Sequence, residues 1–186
     1  MQVPISDMLK SIPGAVGIRL EEELPYNVVE TIRSIEIRNY PPFTLARVTV
    51  SGEYESSMEE GFRTLANFIF GKNAEDKKAS MTIPVFMDKE MEGWTMSFYL
   101  PEEVSQLTPL DPNIKIERMP AKTVAVYRYS GNPDLEKMLD AKVSLLQGLE
   151  NTKYETTSSV WWAQYDQPTS LPFTKRNEAL VKVSPK

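Results

Sequence analysis

The side chains able to do chemistry in this chain are carboxylates, aromatic rings and basic groups, because its 186 residues include no histidine and no cysteine. The missing imidazole removes the usual general base, the usual zinc ligand and the commonest haem ligand. The missing thiol removes disulfides, thiolate metal sites and a cysteine nucleophile. The sequence also has no Ser-His-Asp set, glycine-rich phosphate loop or metal-spaced carboxylate cluster. It therefore predicts no metal site and does not favour an enzyme.

One carboxylate, Glu178, lies in a predicted strand beside Arg176 and Asn177. Its simplest role is a salt bridge to Arg176 or to another nearby base. Alternatively, it could accept a hydrogen bond from a ligand at the base of a cavity, or act there as a general base. The aromatic residues of that alternative cavity would be Tyr165, Trp161 and Tyr99. Burial among such rings would raise the pKa of the carboxyl group towards that of a general base.

Two tryptophans, Trp161 and Trp162, are adjacent in a predicted strand. Successive side chains of a strand point to opposite faces of the sheet. We therefore expect one indole in the core and the other partly exposed, where it could stack on a ligand.

An apolar stripe marks the first predicted helix, which spans roughly residues 55–70. Its members recur at i, i+4, i+7 and i+11 and are Met58, Phe62, Leu65 and Ile69. Gly71 is well placed to end this helix. The stripe is most simply the core face of the helix, and Phe62 could be core and groove wall at once.

A second helix is predicted over roughly residues 133–149. Asn132 is a good N-cap, and Pro133 fits the first helical position. The predicted buried side consists of Leu135, Met138, Leu139, Leu145, Leu146 and Leu149.

Two segments of the chain align without a gap at an offset of 79 residues. Residues 35–52 read IEIRNYPPFTLARVTVSG, and residues 114–131 read IKIERMPAKTVAVYRYSG. The identical pairs are Ile35/Ile114, Ile37/Ile116, Pro41/Pro120, Thr44/Thr123, Ala46/Ala125, Ser51/Ser130 and Gly52/Gly131. Seven identities in 18 positions indicate an internal duplication.

Each copy continues with a helix and then two further strands. These later strands are predicted at 81–87, 94–100, 158–165 and 175–183. The order is therefore β-β-α-β-β, twice. The predicted fold class is α+β, with the duplicated halves forming a distorted antiparallel eight-stranded barrel that carries two helices.

The length and composition suit one globular core, with 41% hydrophobic and 25% charged residues. Residues 1–24 are predicted to be an N-terminal arm, and residues 25–186 a single domain. The two repeats cover about 27–100 and 114–183 of that domain.

The net charge is −5, from 21 basic and 26 acidic side chains. This balance offers no basic face, so nucleic acid is not predicted as a partner. No segment approaches the roughly 20 apolar residues of a membrane span. The N-terminus also lacks the basic and continuous apolar regions of a signal peptide. These features favour a cytoplasmic protein and indicate no particular protein partner.

Three segments together resemble the SOUL haem-binding protein family. KKASMTIPVF, at 77–86, resembles the K-x-A-M-T-x-P-V strand of the family, and FRTLANFIFGKN, at 62–73, resembles the preceding helix and glycine turn. VWWAQYDQPTSLPFTKRNEALV, at 160–181, resembles its Y-D-x-P-x-x-P-x-x-R-N-E segment. The matching residues there are Tyr165, Asp166, Pro168, Pro172, Arg176, Asn177 and Glu178. The similarity covers about residues 26–183.

The resemblance implies a barrel of two pseudo-symmetric halves, similar to gyrase-inhibitor-like small-molecule binding domains. It also implies that haem or another porphyrin binds in an apolar groove between the first helix and the loop joining the last two strands. The implied cofactor-binding residues are Phe62, Arg63, Ala66, Leu171 and Phe173. Glu59 and Asn67 stand where haem-binding members carry basic side chains, and no histidine is present. We therefore expect any haem to be weakly bound.

Three functions remain open at this point. The first is non-enzymatic binding of tetrapyrroles or similar flat hydrophobic ligands, without histidine ligation. The second is a small-molecule sensor or hydrolase that uses a cavity containing Glu178, as related domains use a buried glutamate on the corresponding strand. The third is an interaction module that has lost haem binding, which Glu59 and Asn67 favour.

Overall fold

The two predicted helices and the alternating strands fold into a large, mainly antiparallel α+β structure. The computed structural model describes residues 22–166 and 170–186, so that most of the predicted arm lies outside it. The helices of the described part are α1 (Tyr54–Ile69) and α2 (Leu135–Leu149), and 3-10 turns cover Glu102–Val104 and Pro172–Thr174. The strands described are β1 (Glu22–Glu23), β2 (Asn27–Ile32), β3 (Ile35–Tyr40), β4 (Phe43–Ser51), β5 (Thr82–Ile83), β6 (Val85–Lys89), β7 (Gly93–Leu100), β8 (Lys115–Met119), β9 (Lys122–Tyr129), β10 (Tyr154–Thr156), β11 (Trp161–Gln164) and β12 (Asn177–Pro185).

Ten of these strands form one sheet in the order β2-β3-β9-β12-β11-β6-β7-β4-β8, with β10 beside β12. The run β3-β9-β12-β11 corresponds element by element to the run β8-β4-β7-β6, and the two runs meet where β11 pairs with β6. No pairing joins β2 to β8 among the described strands. The large antiparallel sheet is thus observed, and its closure into a barrel stays a prediction.

Side chains alternate between the two faces of this sheet. Trp162 faces the helices, is 3% exposed, and donates its indole N–H to the carbonyl oxygen of Met138 at 2.9 Å. Its neighbour Trp161 lies on the opposite face, which we call the helix-free face, and is half-buried. The prediction that the two indoles point apart is confirmed.

The helix α1 packs on β4 and β7 through its apolar stripe. Leu65 and Ile69 are buried, and Met58 and Phe62 are partly buried against the same core, as predicted. The helix ends at Ile69 with Phe70 as its C-cap, and Gly71 follows with φ +117°, a left-handed conformation that suits glycine.

The helix α2 packs on β3, β9 and β12 through a narrower stripe than predicted. Met138, Leu145 and Leu149 are buried as expected. The prediction was wrong for three leucines, since Leu135, Leu139 and Leu146 are 36–48% exposed. These residues form a neighbouring stripe with the same helical spacing. A spacing pattern cannot decide which of two such stripes meets the sheet.

The predicted start of α2 was also wrong, by two residues. Asp134 is the N-cap, and its carboxylate accepts a hydrogen bond from the backbone N–H of Lys137 at 2.9 Å. The side-chain oxygen of Asn132 instead accepts one from Lys175 at 3.0 Å.

Among the described residues, no helix combines the length and apolar character needed to cross a membrane.

Candidate functional site

The helix side of the groove implied by the resemblance is only partly accessible. Phe62 is half-buried, and its ring makes an edge contact with Phe98 at a centroid distance of 5.5 Å. Ala66 has no exposed surface, so a ligand could not contact it directly in this structure. Arg63, the next residue of the helix, is also half-buried.

The loop side of the groove carries two large apolar side chains that face solvent. Leu171 is 59% exposed and Phe173 is 76% exposed, on either side of Pro172. The turn is held from below, because the backbone N–H of Gly131 donates to the carbonyl oxygen of Pro172 at 3.0 Å. A fixed turn presents these side chains at little further cost in conformational entropy.

The first turn of α1 and this loop flank the same segment, residues 131–133. The Tyr54 hydroxyl donates to the carbonyl oxygen of Pro133 at 3.1 Å and accepts from the Gln164 amide at 3.3 Å. Asn177 donates to the carbonyl oxygen of Gly131 at 2.8 Å. These contacts fix the loop and α1 relative to one another. We use the name α1 groove for the site that the resemblance implies, with Phe62 and Arg63 on the helix and Leu171 and Phe173 on the loop.

The helix side of the α1 groove carries one acidic and one basic side chain. Glu59 is exposed one helical turn before Arg63. Neither side chain has an ion pair within the part of the chain that the structure describes. Arg63 could pair with a carboxylate of a ligand, and Glu59 would repel that same carboxylate.

The residues present fit a macrocycle that is held by apolar contact. They do not offer an evident iron ligand, since Met58 packs in the core and the Tyr165 hydroxyl is engaged by Glu178. In the described ranges, no three acidic side chains come together as metal ligands.

The carboxylate of Glu178 lies in a buried network on the helix-free face. It has no exposed surface, and its oxygens accept two hydrogen bonds from the Arg38 guanidinium at 2.8 and 2.9 Å. Arg176 and Tyr165 each donate to it at 2.9 Å. Arg128 is farther away, with its Nε atom 3.8 Å from the carboxylate, and makes no hydrogen bond to it in the described part of the chain.

Burial tends to raise the pKa of Glu178, but the hydrogen bonds and charge of Arg38, the charge of Arg176 and the hydrogen bond from Tyr165 together outweigh it and hold that pKa below its ordinary value. Burial, followed by the charge of Glu178, holds the pKa of Tyr165 well above its ordinary range. Glu178 is therefore an ionised structural acceptor and not a poised general base. The salt bridge to Arg176 that the sequence suggested is present.

Of the four residues predicted for the alternative cavity, two are in direct contact. Glu178 and Tyr165 meet, whereas Trp161 and Tyr99 make no hydrogen bond to the carboxylate within the described ranges. Arg38, the main partner of Glu178, was missed by the sequence analysis because it is 140 residues away along the chain. The sequence offers one hint of this role: Arg38 lies on the same face of β3 as Glu36 and Tyr40.

Comparison with known proteins identifies relatives in sequence and in fold. A family model described as SOUL heme-binding protein matches residues 21–182. Heme-binding protein 2 of Homo sapiens is 30% identical over 156 residues, which cover 78% of this chain and 76% of that protein. The C-terminal domain of EcmrR aligns with a TM-score of 0.61 at 15% identity, covering 87% of this chain and 99% of that one. A hydrolase from Listeria innocua aligns with a TM-score of 0.54 at 13% identity, covering 84% and 94%. At these identities the two structural matches show a shared fold alone.

Proposed function

Because this chain belongs to the SOUL heme-binding protein family, we propose that it binds haem or a related flat, hydrophobic tetrapyrrole without catalysing a reaction. The proposed site is the α1 groove. The observation that carries the proposal is the exposure of Leu171 and Phe173 on a turn that is anchored to the fold. A pair of large apolar side chains exposed to water suits the face of a planar macrocycle.

Apolar contact supplies the affinity in this proposal. Fully burying a phenylalanine or leucine side chain is worth about 1.5–3 kcal/mol. Arg63 would meet one propionate of the porphyrin, and Glu59 would disfavour the other. With no imidazole in the chain, iron contributes little, so a metal-free porphyrin should bind about as well as ferric haem. The expected complex is weak and reversible.

Replacing Phe173 by glutamate should weaken the binding of both ferric haem and protoporphyrin by about tenfold or more, since tenfold corresponds to 1.4 kcal/mol. The substitution removes an apolar contact and adds a charge that repels propionates. Phe173 is 76% exposed, so the fold should be unaffected. Absorbance and fluorescence titrations of the purified chain measure the two dissociation constants.

The matched control is Leu139→Glu, which places the same charge on an exposed apolar position of α2. It should leave both dissociation constants unchanged. Equal effects of Phe173→Glu and Leu139→Glu, or no saturable binding by the parent protein, would contradict the proposal. In the second case the interaction module becomes the better hypothesis, with the exposed leucines of α2 as its surface.

We also infer that the two half-sheets arose by duplication of one β-β-α-β-β unit, as the repeat predicts. The support is the element-by-element correspondence of β3-β9-β12-β11 with β8-β4-β7-β6. Closure of the sheet into a distorted barrel belongs to the same proposal.

A further inference from the structure

A cleft of about 240 Å³ lies on the helix-free face of the sheet, away from α1 and α2. Its floor consists of the buried rings of Tyr40, Phe43 and Phe86, and the half-buried Trp161 forms a wall. The β11–β12 register pairs Trp161 with Leu180, which also lines the cleft. Trp162, whose indole reaches α2, points the other way. The cleft is therefore separate from the α1 groove.

The cleft contains more positive than negative charge. Its acidic residue, Asp88, is 3.5 Å from Arg47, which also pairs with Glu117 at 2.7 Å. Two further cations, Lys122 and Lys182, line the same cleft. Neither lysine has a carboxylate partner within salt-bridge distance in the described part of the chain.

The ammonium group of Lys122 is partly removed from water. It lies 4.9 Å from the ring centre of Phe43 and 4.9 Å from that of Trp161. Burial, opposed by the charge of Asp88, lowers the pKa of Lys122 to about 8. Ring faces compensate only part of the lost hydration of an ammonium ion. A carboxylate placed beside Lys122 would supply the missing partner.

We propose that this cleft binds a small aromatic monocarboxylate, with its ring against Trp161 and the apolar floor and its carboxylate between Lys122 and Lys182. The volume is below the about 300–1,000 Å³ of typical drug-sized sites, which favours a ligand of one or two rings over a macrocycle. The excess positive charge selects an anion over a cation of the same shape.

The test uses 2-naphthoate as the anionic probe and 2-naphthamide as its neutral counterpart, each titrated into the full chain by calorimetry. We expect saturable one-to-one binding of the naphthoate and binding of the amide weaker by about tenfold or more. Lys122→Met keeps the apolar stem and removes the charge, and should weaken naphthoate binding by about tenfold. Lys182→Met should weaken it to a smaller extent.

Two control variants make the outcome specific to the cleft. Lys115→Met removes an exposed lysine from the neighbouring strand β8 and should change nothing. Phe173→Glu should also leave naphthoate binding intact. A failure of the cleft to bind naphthoate can therefore be distinguished from a failure of the α1 groove to bind porphyrin. Equal affinity for the acid and the amide, no binding of either, or indifference to both lysine substitutions would overturn the proposal.

Discussion

An Arg38→Met variant should lose about 3–5 kcal/mol of the free energy of unfolding, because it leaves a buried carboxylate without its main partner. Arg38 and Glu178 both lack exposed surface and share two hydrogen bonds of 2.8 and 2.9 Å. Methionine retains an unbranched apolar stem, so the lost guanidinium accounts for most of the effect. Urea unfolding at neutral pH, where Glu178 is ionised, measures the change.

The matched control is Arg128→Met. Arg128 approaches the same carboxylate at 3.8 Å but is 56% exposed, so its loss should amount to less than about 1 kcal/mol. Adding Glu178→Met to Arg38→Met should recover part of the stability, because the stranded charge is then gone. A parent-like unfolding free energy for Arg38→Met would show that this network does not stabilise the fold.

Trp162→Ala should be the second most disruptive substitution, lowering the free energy of unfolding by about 3–5 kcal/mol. The indole is 3% exposed, lies 6.0 Å from the ring of Trp94, and donates a hydrogen bond to Met138 of α2. It stands on β11, where the two halves of the sheet meet. Alanine would leave a cavity between those halves and remove the hydrogen bond that ties β11 to α2.

Trp161→Ala provides the comparison for this prediction. The two tryptophans are adjacent, but Trp161 lies half-buried at the cleft and contacts Lys122. Its removal should lower the free energy of unfolding by only about 1 kcal/mol, because water can fill the space it leaves. Thermal or urea unfolding of both variants gives the contrast. Similar losses for the two substitutions would contradict the assignment of faces.

Most of the fold could be predicted because its signals are local. Period-two alternation and helical spacing depend on neighbouring residues, so the main strands and both helices were predicted close to their observed positions. The sequence could not show which leucines of α2 are exposed. Leu135 and Met138 belong to two apolar stripes of equal helical spacing, and only packing against the sheet decides which stripe is buried. The partner of Glu178 could not be predicted either, because no local pattern connects β12 to Arg38 on β3.

The residues of the candidate site could not be predicted from local sequence patterns. Phe173 and Leu171 were selected through a family resemblance, and nothing in their local pattern distinguishes a binding loop from an ordinary one. The structure adds their exposure and the anchoring of their turn. The cleft near Lys122 was not predicted at all, because its lining comes from seven separate strands, the turn between β8 and β9, and the residues just before β11.

The most direct test of porphyrin binding in the α1 groove is an NMR titration of the isotope-labelled chain with ferric haem, using metal-free protoporphyrin as the diamagnetic reference. Paramagnetic iron broadens amide signals according to their distance from it. We predict selective broadening around Phe62 and Arg63 and across residues 171–174, with the signals of Trp161 and Lys122 unchanged. Broadening centred on the helix-free face, or no localised broadening at saturating haem, would contradict this account.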